Sequence, residues 1–323
     1  MDREDDVIAN RSGNRPFGDV LQAHVSRRRV LAGSLAAAAG GFLSSGPSWG
    51  ADDQTEKPGH GPLDQPQVDP PKESGLINFE PVPLSEAGGA EVSISADYEY
   101  EVLIPWGDPL QPGGPVYDGD PTTRPTAADQ AEMIGIGHDG MWFFPYVHEG
   151  KESSNAGMLC INHEFGRNNH VLGRGIPGSL EDVRLSQHAH GVSVVAIVRR
   201  DDSWRQIRSP YSRRVHVNTP VAFSGPAAGS RLLETPGGGE PLGTLNNCAS
   251  GHTPWGTYLT CEENVHGYFG ATERWIATPE QERYGFSAGG FGYGWEKYDR
   301  RFDLSDPDYT NEENRFGWVV EID

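Results

Sequence analysis

Cysteine is scarce in this sequence, and its number excludes complete pairing of cysteines within the chain. The 323 residues include only Cys160, Cys248 and Cys261. In an oxidising compartment, at least one of the three must be free, bound to a metal or paired elsewhere. A Cys160–Cys261 disulfide is one interpretation of the spacing. Cys248 lies in the polar loop NNCASG, unlike a core thiol, and a metal would favour its thiolate there.

Positive charge is also scarce. The chain has 26 lysine and arginine residues against 46 aspartate and glutamate residues, a formal net charge of −20. So acidic a surface argues against a nucleic-acid partner, because a polyanion would be repelled. The composition is compatible with calcium-binding carboxylates, although most of the acidic side chains are expected on the solvated surface.

Long, strongly apolar runs are missing as well. Residues 26–31 (SRRRVL) contain a twin arginine and precede an uncharged stretch, rich in Ala, Gly and Ser, that extends to Ala51. A membrane anchor is the alternative, but an anchor needs ~20 strongly apolar residues. We therefore predict a Tat-type signal peptide over residues 1–50, the Tat export machinery as a partner and no stable membrane anchor. The predicted location is periplasmic or extracellular.

Helical periodicity is weak, and glycine (42) and proline (25) are abundant, which together indicate a soluble all-β protein. Residues 51–91 are rich in Pro, Gly and acidic residues and predict a linker or wrapping arm. We assign residues 92–323 to a β domain. Its predicted strands start at Val92 and include Gly191–Val198 with a hairpin partner at 204–207, a short strand at 232–235, and 316–323. Short helices are predicted at 126–136 and 278–283, irregular structure at 182–188, and mostly loop at 270–315.

Two segments share one layout of polar loop, aromatic strand, turn, strand and acidic end. The clearer copy is Gly243–Tyr268, GTLNNCASGHTPWGTYLTCEENVHGY, with a strand predicted at Gly256–Thr260. The weaker copy covers residues 136–164, and aligning Gly157 with Gly256 places 162–164 opposite 261–263. Repetition of a strand-rich unit at this spacing suggests blades of a β-propeller.

Metal-ligating side chains collect at the polar ends of these units. Glu164 and Glu263 end the equivalent strands and are the first-choice carboxylate ligands. Cys248 is the first-choice thiolate, and Cys261 is the fallback. Glu262 would point away from Glu263 if the pleat persists, but turns can break the pleat, so it stays a candidate metal ligand.

Several segments resemble the PhoX-type alkaline phosphatase family. They are HDGMWFFP (138–145), LCINHE (159–164), QHAHGVSVV (187–195), NTPVAFSGPAAG (218–229), LGTLNNCASGHTPWGTYLTCEEN (242–264) and FGWVVEID (316–323). The long TPWGTYLTCEEN match is the specific one, and the segments occur in the family's order. The resemblance implies an exported, calcium-dependent phosphomonoesterase on a β-propeller, with a cluster of iron and calcium whose ligands include glutamates and a cysteine.

Members of the family are longer than this chain, so the resemblance predicts that residues 92–323 are a partial catalytic domain with only about half of the propeller's blades. On that view residues 51–323 alone would be inactive, poor in metal and prone to aggregate, because a blade edge and some ligands would be missing.

The chemistry of the donor set agrees with the implied metals. Carboxylates are hard ligands that suit Ca²⁺ and Fe³⁺, whereas a thiolate suits iron. His138 and Asp139 are candidates to line the same opening, and Asn247, like Asn162 and Asn264, is a candidate hydrogen-bond donor to phosphate. The expected substrates are small phosphate esters. The alternatives are a phosphodiesterase on the same cluster and a non-catalytic propeller that binds a partner.

Overall fold

The computed structural model describes residues 79–323. The predicted signal peptide, residues 1–50, and most of the predicted arm, residues 51–91, therefore lie outside the described residues. Among residues 79–323, no helix combines the length and the apolar character that crossing a bilayer requires.

The larger sheet is an antiparallel meander built from the first repeated unit and the apolar run that follows it. Its strands are β1 (His138–His148), β2 (Lys151–His163), β3 (Gly191–Arg200), β4 (Ser203–Gln206) and β5 (Arg213–Val215). They are ordered β1-β2-β3, and β4 and β5 share the remaining edge of β3. β3 is central because its sequence, GVSVVAIV, is apolar on both faces and almost wholly buried. The predicted β3–β4 hairpin is confirmed.

Tight two-residue turns connect both hairpins of this sheet. Glu149 and Gly150, between β1 and β2, have φ of +50° and +76°. Asp201 and Asp202, between β3 and β4, have φ of +50° and +64°. Positive φ at both central residues matches the right-handed twist of the strands, so these turns set the register.

A second sheet comes from the clearer repeated unit. It has the order β8 (Asn247–His252), β9 (Tyr258–Glu262) and β10 (Val319–Ile322), all antiparallel. A separate two-stranded sheet pairs β6 (Thr219–Pro220) with β7 (Leu242–Gly243). The two sheets meet where β1 passes β8, since a Cβ on Gly140 would lie 2.7 Å from the carbonyl oxygen of Cys248. The described chain is thus mainly β with antiparallel sheets, as predicted; that these sheets are propeller blades stays a prediction.

Four α-helices lie in the described part of the chain: α1 (Ala127–Ala131), α2 (Asn168–Val171), α3 (Leu180–His188) and α4 (Pro279–Arg283). α1 and α4 fall inside the predicted helices and begin at threonine capping boxes. The prediction of irregular structure at 182–188 is wrong, because α3 occupies it. Its start was readable: Ser179 caps the Asp182 N–H, and acidic residues fill the first turn.

Two predicted strands are absent from the described structure. No strand forms at 92–102, whose alternating side chains stay exposed, Val102 at 74%. A strand forms only when an alternating segment pairs with another strand, and this segment pairs with none among residues 79–323. The prediction at 232–235 is also wrong, since Arg231–Leu233 is a 3₁₀ helix.

The segment 270–315, predicted as loop, supplies much of the aromatic core. Trp295 and Phe302 are fully buried and pack with Tyr268, Phe269 and Phe316. Trp295 lies 5.1 Å from Tyr268 and 5.0 Å from Phe302 between ring centroids. The absence of strand or helix periodicity in this segment therefore does not indicate an exposed loop.

A buried cation sits among histidines beneath β3. The Arg214 guanidinium donates to Ser193 Oγ at 2.9 Å and to the carbonyl oxygens of His188 and His190 at 2.7 Å each, and no carboxylate in the described part of the chain pairs with it. Burial lowers the pKa of His190 to about 4 and, with nearby His188 and Arg214 adding to the effect, that of His216 to about 3. These histidines are therefore neutral in the folded protein.

Neutral buried histidines predict acid lability. Their folded pKa lies below the unfolded value of about 6.5, so the unfolded chain binds more protons and stability falls as pH drops below about 6.5. From pH 7 to pH 5 each such histidine costs about 2 kcal/mol of unfolding free energy. Between pH 7 and pH 5, the free energy of unfolding of His216→Gln, measured in urea, should therefore fall by about 2 kcal/mol less than that of the wild type. Equal losses in both proteins would contradict the assignment.

Candidate functional site

The site is built from two hairpins that repeat the same local geometry. In β1–β2, His138 pairs with His163; in β8–β9, Asn247 pairs with Glu262. One extra residue follows on the first strand of each, between His138 and Met141 and between Asn247 and Ser250, where the register shifts. Such a bulge re-aims the side chain it contains. It places Asp139 and Cys248 in equivalent positions.

The backbone before each hairpin is equivalent too. Gly137 and Asn246 have φ of +67° and +50°. Their carbonyl oxygens accept the N–H groups of Glu164 and Glu263, both at 2.9 Å. Gly137 must be glycine, because a Cβ there would lie 2.2 Å from the carbonyl oxygen of Phe165. Each hairpin thus holds one glutamate just beyond its second strand, fixed to the residue that opens the first.

Ligand atoms from both hairpins converge. One ligating atom from each of Asp139, Glu164 and Cys248 lies within 4.8 Å of the other two. Glu263 is close enough to raise the pKa of both Glu164 and Cys248. We call these four residues the carboxylate–thiol group. Each hairpin contributes two of them, one from the bulge and one after the second strand.

The carboxylate–thiol group carries uncompensated negative charge. Within residues 79–323, no lysine, arginine or histidine forms an ion pair with its carboxylates. Burial, followed by the charges of Asp139 and Glu263, raises the pKa of Glu164. Burial and the adjacent carboxyl groups raise the pKa of the Cys248 thiol to about 12. Like charges this close repel, and a bound cation would relieve the repulsion and favour the thiolate.

Polar side chains tie the two hairpins together around this group. Asn162 Nδ2 donates to the carbonyl oxygen of Cys248 at 2.7 Å, and the Tyr258 hydroxyl donates to Asn162 Oδ1 at 2.9 Å. Asn246 Nδ2 donates to the Glu164 carbonyl oxygen at 3.1 Å and lies 2.9 Å from the Tyr268 hydroxyl. Asn162 was a candidate phosphate donor, and here it positions Cys248. Sequence reasoning missed Asn246 and Tyr268; the available signal was the asparagine pair in TLNNCAS, since asparagine tolerates the left-handed backbone that Asn246 adopts.

Of His138, Asp139 and Asn247, which were predicted to line the opening or contact phosphate, two lie outside the carboxylate–thiol group. His138 Nε2 is 2.9 Å from the carbonyl oxygen of Ile104, and its ring packs edge-on against His163. Asn247 is fully buried, and its Nδ2 donates to the hydroxyls of Thr244 and Thr260 at 2.8 and 3.1 Å. Both side chains therefore hold the start of their strands, whereas the third candidate, Asp139, joins the group.

Glu262 points away from Glu263, as the strand pleat predicts. It accepts four hydrogen bonds, from the Thr244 hydroxyl at 2.7 Å and from the backbone N–H groups of Leu245, Gly317 and Trp318 at 2.7–3.1 Å. His163 has the equivalent position in the first hairpin, where its ring accepts the Gly135 N–H at 3.3 Å. Glu262 thus anchors the incoming chain and β10 outside the carboxylate–thiol group.

All three cysteines are free, so the Cys160–Cys261 disulfide is not formed. Cys160 is buried in the core formed with Val194 and Tyr258, and burial raises the pKa of its thiol to about 12. Cys261 is half-buried on β9, opposite Val319 of β10. Of the two candidate thiolates, Cys248 is the one that lies with Glu164 and Glu263.

The fold and the site together define a class of protein. It is a mainly antiparallel β protein whose carboxylates and thiol are arranged like the ligands of a metal site. A family model described as "Alkaline phosphatase PhoX" matches residues 77–323. The chain belongs to this family, as its motifs indicated.

The chain is also similar to a solved structure, Pseudomonas fluorescens PhoX in complex with vanadate, a transition state analogue. The two are 42% identical with a TM-score of 0.66, over 72% of this chain and 40% of that one. The match therefore covers less than half of that protein's length. No match was found among curated proteins.

Proposed function

We propose that this chain forms part of an exported, metal-dependent phosphomonoesterase that hydrolyses small phosphate esters. One observation carries the proposal: two equivalent hairpins bring ligand atoms of Asp139, Glu164 and Cys248 within 4.8 Å of one another, with Glu263 beside them and no basic partner in the described chain. Membership in the PhoX family supports it. Export by the Tat route to the periplasm or cell exterior is part of the proposal, as is a propeller fold for residues 92–323.

The donor set fits the metals that the family resemblance implies. Asp139, Glu164 and Glu263 would hold Ca²⁺ or Fe³⁺, and Cys248 would hold iron, for which a thiolate is the better ligand. Bound there, the cations would neutralise charge on the phosphoryl oxygens and activate water. The chain's own part is to fix the donors: the paired backbone bonds set both glutamates, and Asn162 and Asn246 hold the strand ends against each other.

The test is hydrolysis of 4-nitrophenyl phosphate by the full-length protein of which this chain forms part, with and without calcium and a chelator, together with metal analysis. We expect calcium-dependent release of 4-nitrophenol that the chelator abolishes. Faster hydrolysis of bis(4-nitrophenyl) phosphate would indicate a phosphodiesterase instead. A folded protein that hydrolyses neither ester, with its metals bound, would favour a non-catalytic binding module.

A further prediction distinguishes the glutamates assigned as metal ligands from Glu262, which is next to one of them in the chain. Glu164→Gln and Glu263→Gln keep side-chain shape but remove a ligand charge, so each should lower activity and metal content by at least ~10-fold. The neighbouring Glu262→Gln is the matched control: it should lower the unfolding midpoint, because four hydrogen bonds lose a charged acceptor, with a smaller loss of metal per folded molecule. Full metal content in Glu164→Gln or Glu263→Gln would remove that residue from the site.

A further inference from the structure

A cleft opens immediately after Glu164. Its lining includes Phe165, Arg167, Asn169, Phe291 and Tyr293, and we call it the arginine cleft. Because Phe165 directly follows Glu164, the cleft adjoins the carboxylate–thiol group. Tyr268 links the two: it stacks on Tyr293 at 4.4 Å between centroids, and its hydroxyl lies 3.4 Å from the Glu164 carbonyl oxygen.

Two phenyl rings present apolar surface in this cleft. Phe165 is 41% exposed and Phe291 is 54% exposed. Phe165 lies edge-on to Tyr293 at 6.2 Å, and Phe291 packs over Gly267, where a Cβ would lie 2.0 Å from its ring. The rings are therefore fixed in place yet open to solvent, as expected of surfaces that receive a planar ligand.

The polar lining of the cleft includes a side chain whose hydrogen-bond donors are unused within the described chain. Arg167 is exposed and makes no ion pair or side-chain hydrogen bond with any residue the structure describes. Tyr293 is only 6% exposed, and its buried hydroxyl has no hydrogen-bond partner in the described chain. Arg167 is therefore the cationic group of the lining that a ligand in the cleft can reach.

We propose that the arginine cleft is the subsite for the leaving group of the phosphate ester and that it selects aromatic leaving groups bearing an anionic substituent. The phenyl rings contact the aromatic ring, and Arg167 pairs with the anion, since a guanidinium binds a carboxylate through two hydrogen bonds. This inference rests on the proposed function for its placement beside the reacting phosphate.

The test compares three esters with the full-length protein: 4-carboxyphenyl phosphate, phenyl phosphate and glycerol 2-phosphate. Arg167→Leu should lower the kcat/KM ratio of carboxyphenyl to phenyl phosphate by at least ~10-fold, mainly through KM, because a charge-assisted pair is lost. Phe291→Leu should lower the ratio of phenyl to glycerol phosphate by a few fold, as stacking is lost. Arg205→Leu, an exposed arginine on β4, is the matched control and should change neither ratio. Unchanged ratios in the Arg167 and Phe291 variants would overturn the proposal.

Binding of the leaving group itself gives a readout that needs no hydrolysis. By calorimetry, 4-hydroxybenzoate should bind the wild type at least ~10-fold more tightly than phenol, and Arg167→Leu should abolish that difference. Binding without hydrolysis of any ester would support the cleft and overturn the proposed phosphatase. Hydrolysis with equal binding of the two phenols would support the phosphatase and overturn the cleft.

Discussion

Replacing Cys248 with alanine is expected to remove iron from the protein while much of its calcium remains. The thiol lies with Asp139 and Glu164 in one group of ligand atoms. Iron gains from a soft thiolate ligand and calcium does not, so the two metals should separate in this variant. Loss of a direct ligand should weaken iron binding by at least ~100-fold, since even supporting residues cost 10–100-fold. Phosphatase activity should fall with the iron content.

Cys261→Ala provides the matched control. It removes a half-buried thiol only one residue from Glu262, but on β9 and outside the carboxylate–thiol group. We expect it to keep both metals when wild type and variants are purified in parallel and analysed by plasma mass spectrometry. If Cys248→Ala keeps its iron and Cys261→Ala loses it, the thiolate is Cys261 and our choice is wrong.

The second large effect concerns stability and lies away from the site. Glu312 is buried between two buried arginines, with 2.8 Å to Arg301 Nε and 3.1 Å to Arg315 Nη1. Arg301 also donates to the carbonyl oxygen of Leu242, and Arg315 to that of Leu233. Burial raises the pKa of the Glu312 carboxyl despite both guanidinium groups. Arg301, Glu312 and Arg315, which we call the buried triad, thus join the 270–315 segment to the part of the chain that leads into the second hairpin.

Removing the charge of Glu312 should therefore destabilise the fold. Glu312→Gln leaves two buried guanidinium groups without a counter-charge, and breaking a buried pair in this way costs about 3–5 kcal/mol. We expect that loss in urea unfolding at pH 7. Asp308→Asn removes an acid from a solvent-exposed pair with Arg300 and should cost only a small part of it. Similar losses in the two variants would show that the triad contributes no more than a surface pair.

Much of the local structure could be predicted from the sequence, because it depends on residues close in the chain. The aromatic strands of the two repeated units, the apolar run of β3 and the threonine caps of α1 and α4 are local signals. Prediction failed where a partner had to be supplied from elsewhere. Residues 92–102 alternate like a strand but pair with no strand in the described chain. The missed helix α3 is a different case, because its cap was readable in the sequence.

The sequence by itself determined the family, through its ordered motifs, and the residue types of the site, through the two repeated units. Only the tertiary structure decided which of them meet. Asp139 and Cys248 lie more than one hundred positions apart in the chain, and they converge because β1 passes β8 with the same bulge in each. The pleat and the bulges place Glu263 and Glu164 in the carboxylate–thiol group. They point Glu262 the other way, where it accepts hydrogen bonds from the Thr244 hydroxyl and from backbone N–H groups. Residue type cannot encode that choice, because a glutamate is an equally good ligand or anchor until the strand fixes the side it faces.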